Sequence, residues 1–120
     1  MLYVGNAFSL QMVQNGANIF VEDVIADVAK AEIIRYLAKA TFCIGHADTA
    51  RIAAQSLNRA NAGDVDQVEF TEEQMFHRVN VNLTSGDVLY VMQVMGGRLP
   101  EGCTELPEGI QLQWRKVTVL

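Results

Sequence analysis

Apolar positions recur along the chain with two periods, and the switches between them mark the elements. Leu2 to Phe8 reads as an opening strand that leaves through the small polar residues Asn6 and Ser9. Ser9 is also placed to cap a short helical turn through Leu10, Gln11 and Met12. Asn15-Gly16 signals a turn, and Ala17 to Val21 follows as a second strand. From Glu22 or Asp23 to about Lys39 the period becomes helical, with Ala26, Ala29, Ile33, Tyr36, Leu37 and Ala40 on one face. Asp27, Lys30, Glu32 and Arg35 populate the other faces and are expected to be solvated.

Thr41 to Ile44 reads as a strand that stops at Gly45 and His46, and a helix follows from about Asp48 to Asn58. Ala50, Ala53, Ala54 and Leu57 give that helix a small-residue face suited to close packing on a sheet. Asn58 to Asp66 is rich in Asn, Gly and Asp and reads as a flexible loop. Thr71-Glu72-Glu73-Gln74 matches a capping box that starts one short helical turn through Met75 and Phe76. The whole excursion is longer than an ordinary connection, which suggests an interface or a ligand lid.

Arg78 to Leu83 alternates, with Val79, Val81 and Leu83 opposite Arg78, Asn80 and Asn82. Thr84 to Asp87 is a turn, and Val88 to Met95 is almost continuously apolar, as in a central strand covered on both faces. The two runs are expected to form a β-hairpin. Gln93 is the one polar residue of the second run, and it either knits the core or looks into a site. Gly96 to Gly102 breaks the strand, and Ile110 to Leu120 closes the chain as another, with Leu112, Trp114 and Lys116 on one face. These readings give an α/β protein: one small domain spanning residues 1–120, with a mixed sheet of about five strands and two main helices.

Composition narrows the function. The 120 residues are 50% hydrophobic and carry a formal net charge of −5 at pH 7. Lys and Arg total nine and form no run, which argues against duplex nucleic-acid binding but allows a small anion held by local arginines. Cys43 and Cys103 have no metal-ligand spacing, and Cys43 falls in an apolar strand pattern as a core thiol. His46 and His77 sit in different elements, so neither a metal nor a cofactor is expected. There is no basic stretch followed by an apolar one at the N-terminus, and no run nears the about 18 apolar residues of a membrane span. A soluble intracellular protein is the expectation.

Four polar clusters fall at strand ends: Asn6 with Ser9, His46, Arg78, and Arg98 with Glu101. Arg offers paired donors to phosphate, Asn and Ser offer neutral hydrogen bonds to sugar or base, and His can protonate a leaving oxygen. Gly45-His46 lies where a helix begins, and free N–H groups there attract anions. Together the clusters suggest binding of a phosphodiester.

The segments Val4-Gly5-Asn6-Ala7-Phe8-Ser9-Leu10, Ile44-Gly45-His46-Ala47-Asp48-Thr49-Ala50, Arg78-Val79-Asn80-Val81 with Gly86-Asp87, and Arg98-Leu99-Pro100-Glu101-Gly102 carry a resemblance. In that order they resemble the small viral and prophage family typified by an archaeal turreted icosahedral virus protein. That family includes the viral ring nucleases, anti-CRISPR proteins acting on cyclic tetra-adenylate. The resemblance implies a mixed sheet flanked by helices and a homodimer with its ligand at the subunit interface. It implies metal-independent cleavage in the host cytoplasm, in which a ribose 2′-hydroxyl attacks the adjacent phosphorus. By position, His46 would be the general acid and Glu101 its helper. Arg78 and Arg98 would hold phosphates, and Asn6 and Ser9 would contact the nucleotide. Gln93 is a further ligand-binding candidate. The chain departs from the family in residues 58–77, which are longer than its usual link. That departure leaves two readings open: a ring nuclease, or a sponge that sequesters a cyclic nucleotide or a cyclised ADP-ribose uncut. Nucleic-acid binding in a dimer groove is a third, against which the acidic balance counts.

Overall fold

The computed structural model describes residues 1–63, 67–95, 99, 102, 103, 105 and 107–120. Its sheet has the strands β1 (Leu2–Gly5), β2 (Ile19–Val24), β3 (Ala40–Cys43), β4 (Val88–Met95) and β5 (Gln111–Val119). They lie in the order β2-β5-β4-β1-β3. β1 runs parallel to β3 and β4, while β5 runs antiparallel to β4 and β2. The helices are α1 (Ala26–Arg35), α2 (Ala47–Arg59) and α3 (Glu72–Met75). The α/β architecture with a five-stranded mixed sheet is therefore as the periodicity indicates.

β4 alternates between two cores. Tyr90 and Met92 join one cluster with Val4, Phe42, Trp114 and the buried faces of α1 and α2. Leu89 and Val91 join another with Val117, Val119 and Leu83, covered by Phe8, Met12, Val13 and Val81. A strand apolar on both sides is the expected consequence of burial on both faces. Both main helices sit in the first cluster, so they cover one face, and loop segments cover the other. α2 is tied to β5 where Trp114 Nε1 donates to Ser56 Oγ at 3.1 Å.

Three readings of the sequence need correction. Arg78 to Leu83 is not a strand of the sheet, and no 78–83/88–95 hairpin forms. Both edges of β4 are already taken, by β1 and by β5, and the alternating run makes one isolated bridge, Leu83 to Val13. The antiparallel partner of β4 is β5. Next, α1 begins at Ala26 and not at Glu22 or Asp23. Those acids stay in β2 because they face Lys116 and Arg115 across the ladder, and Arg115 Nε donates to Asp23 Oδ1 at 3.0 Å. Finally, Lys30 is fully buried, and its Nζ donates to the Ala60 carbonyl at the end of α2 at 3.2 Å. A cation there complements the negative end of the helix dipole.

The excursion after α2 is built into the body of the protein. Asn58 Nδ2 donates to the Phe70 carbonyl at 2.8 Å, and the Phe70 N–H donates back to Asn58 Oδ1 at 2.7 Å. Phe70 and Met75 are buried in the helix-side core, with Phe70 against Phe42. Residues 67–77 thus form a packed hook on α2 and β3, and not a lid.

Two stability predictions follow from these contacts. Asn58→Ala leaves both Phe70 backbone groups without that partner, and urea denaturation should show a loss of about 1–3 kcal/mol. Asp87, the second case, is buried and accepts from the Thr84 N–H at 2.8 Å, the Thr84 hydroxyl at 3.1 Å and the Met1 ammonium at 2.9 Å. Burial alone would raise its pKa, but those donors together hold the carboxyl below the ordinary value. A depressed folded value means stability that is present above the unfolded pKa and lost as pH falls below about 4. Asp87→Asn should flatten that acid limb in a series of thermal melts.

Candidate functional site

Parallel strands place ligands beyond their carboxyl ends, and there β1 and β3 open into a cleft of about 500 Å³. Three segments line it. Asn6, Ala7, Ser9, Gln11 and Met12 come from the exit of β1, Cys43 and Gly45 from the end of β3, and Val79 to Asn82 from the extended run before β4. Gly5 lets β1 and β3 approach closely beside it, since a Cβ there would lie 3.2 Å from Cys43 Sγ and 3.3 Å from the Cys43 carbonyl. Ser9 precedes a 3-10 turn at Leu10–Met12, closed by the Met12 N–H donating to the Ser9 carbonyl at 3.0 Å. A smaller cavity of about 250 Å³, at the opposite end of the strands, is lined by Leu2, Glu32, Tyr36, Lys39 and Val88.

The lining of the larger cleft is polar and neutral. Four side-chain amides and one hydroxyl line it, supplied by Asn6, Gln11, Asn80, Asn82 and Ser9. Cys43 is the titratable residue among the described lining. It is half-buried and not a core thiol, and its Sγ donates to the Val4 carbonyl at 3.2 Å. Burial pushes its pKa up to about 11.

His46 is exposed at the N-cap of α2, directly after the cleft residue Gly45. Its backbone is extended, and its carbonyl accepts the Ala50 N–H at 3.0 Å, which starts the helix. Arg78 is exposed beside the cleft residue Val79, with its guanidinium 5.8 Å from the centre of the Phe76 ring. The two residues are linked through the backbone. Ile44 N–H donates to the Met75 carbonyl at 3.1 Å, and His77 N–H donates to the Ile44 carbonyl at 3.1 Å, making a parallel bridge between Ile44 and Phe76. His46 and Arg78 each lie two residues past that bridge.

Asn6 and Ser9 therefore share the cleft, while His46 and Arg78 are not among its lining residues and each adjoins one of them in the chain. Gln93 is half-buried on β4, across from Gln113 of β5, and is not among the residues lining the cleft. Arg98 and Glu101 lie outside the described residues. The sequence reading missed Gln11, Asn80 and Asn82 as cleft residues. The asparagines are the polar positions of the 78–83 alternation, which face the cleft and not a neighbouring strand of the sheet.

A mixed five-stranded sheet with helices on one face and a polar cleft at the ends of parallel strands defines a small α/β domain with a ligand-sized opening. The model of the STIV B116-like family matches residues 2–112, and the chain belongs to that family. Among solved structures it is similar to B116 of Sulfolobus turreted icosahedral virus, with a TM-score of 0.72 and 18% identity over 98% of this chain and 97% of that one. At that identity the likeness shows the shared fold. No curated protein matches the chain. Among the described residues, no helix is long and apolar enough to cross a membrane.

The Cys43 thiol gives a chemical test of the cleft. Raising a thiol from about 9 to about 11 leaves little thiolate at pH 8, partly offset by the greater reactivity of a more basic thiolate. In a Cys103→Ser background, iodoacetamide should alkylate Cys43 roughly tenfold more slowly than a free thiol at pH 8. The rate should climb as pH rises towards 11.

Proposed function

We propose that the protein binds a cyclic nucleotide second messenger in this cleft and removes it, by metal-independent cleavage of a cyclic oligoadenylate. The observation that carries the reading is the polar cleft at the ends of β1 and β3, with His46 beside Gly45 and Arg78 beside Val79 at its rim. Neutral amides suit bases and sugars, while a guanidinium suits a bridging phosphate. The family resemblance implies a homodimer with its ligand at the subunit interface, so two copies of the chain would share one ligand, each supplying half of the site. Such a homodimer, acting in a host cell against a nucleotide-signalled immune response, is the role the family resemblance favours.

In the proposed reaction a ribose 2′-hydroxyl attacks the neighbouring phosphorus and gives up its proton to water. A 2′,3′-cyclic phosphate forms, the bond to the 5′-oxygen breaks, and His46 delivers a proton to that oxygen. Glu101 would orient the imidazole, and Arg78 and Arg98 would hold the phosphate. Gln93, outside the cleft lining, has no part in this step.

One observation favours sequestration without cutting. The described lining holds amides and a hydroxyl, and its titratable member, Cys43, is held protonated by burial. A site can bind phosphates and bases well without the geometry for in-line attack. On that reading the protein is a sponge for a cyclic nucleotide or a cyclic ADP-ribose.

Incubation with labelled cyclic tetra-adenylate separates the two. Cleavage predicts linear product, and His46→Ala should slow its formation about 10²- to 10⁴-fold, the usual worth of a positioned general acid. A sponge predicts intact ligand released from heat-denatured complex. Failure to bind either cyclic tetra-adenylate or cyclic ADP-ribose would reject both.

A further inference from the structure

The hook between α2 and the cleft is held by a charged pair whose stabilising worth is small. Arg51, on α2, meets Glu72, the first residue of α3, with Nε on Oε2 and Nη2 on Oε1, the latter at 3.2 Å. Their side chains remain 42% and 37% exposed. Pairs that open to water contribute little to folding, but a two-pronged guanidinium–carboxylate contact defines orientation well. Thr71 Oγ1 accepts the Gln74 N–H at 3.1 Å and fixes the start of the same turn. Directly after this turn, Met75 and His77 make the two backbone hydrogen bonds to Ile44. The pair thus sits one turn before the bridge from which the backbones of both His46 and Arg78 continue.

We propose that Arg51 and Glu72 are positioning residues for the cleft. By clamping α3 to α2 they hold the Ile44–Phe76 bridge in register, so that Arg78 and His46 meet the same phosphate of the ligand. Phe76 contributes by carrying the Arg78 guanidinium over its ring. The inference rests on the cyclic-nucleotide reading and assigns a role to residues outside the cleft lining.

The test is a double-mutant cycle read by binding of cyclic tetra-adenylate over a range of salt concentrations. Arg78→Ala should weaken binding and lower the slope of log affinity against log salt by about one, as for loss of one phosphate contact. Glu72→Gln should do the same, with about a tenfold loss in affinity. Removing an acid would by itself favour an anionic ligand, so a loss runs against simple charge arithmetic. Combining the two should cost no more than Arg78→Ala alone, because both act through one contact. The charge swap Arg51→Glu with Glu72→Arg should restore affinity, which a general loss of folding would not allow. Wild-type affinity in a folded Glu72→Gln protein, or full additivity with Arg78→Ala, overturns the proposal. Absence of binding by the wild type overturns the cyclic-nucleotide reading and this inference with it.

Discussion

β4 is the strand on which the rest of the structure depends. Its two hydrogen-bonding edges are occupied by β1 and β5, and its two faces feed two separate cores. Because β1 lies between β4 and β3 and runs parallel to both, its carboxyl end and that of β3 open side by side. The cleft is therefore a consequence of topology before any polar residue is placed in it. With both edges of β4 filled, the run after Arg78 has no place in the ladder, and it becomes a wall of the cleft.

What the sequence shows follows from which interactions are local. The continuous apolar run from Val88 to Met95, the small-residue face of α2 and the cap at Thr71 are each set by neighbours in the chain, and each forms where the pattern puts it. The errors concern partners far away in sequence. Glu22 and Asp23 look like a helix start until the cations of β5 are placed opposite them. Lys30 looks like a surface charge until the end of α2 arrives beside it. Arg78 to Leu83 has strand periodicity, but periodicity cannot say whether an edge is vacant.

The candidate site divides along the same line. Asn6, Ser9 and His46 were visible because each sits at a break between an apolar run and a turn. Gln11, Asn80 and Asn82 become visible only when three separate segments converge. The excursion between α2 and Arg78 reads as loose chain because Asn, Gly and Asp dominate its first half. Its second half is fastened by Asn58, Arg51 and the backbone of Ile44, all outside it in sequence. The backbone that leads to Arg78 is thus tied to side chains of α2.

The clasp between Asn58 and Phe70 has an evolutionary corollary. It closes the excursion at its base, so the chain between those two residues is a loop whose ends are already joined. The entropy of such a loop grows only slowly with its length. Changes of length there should therefore cost little and leave β3 and the cleft lining in place.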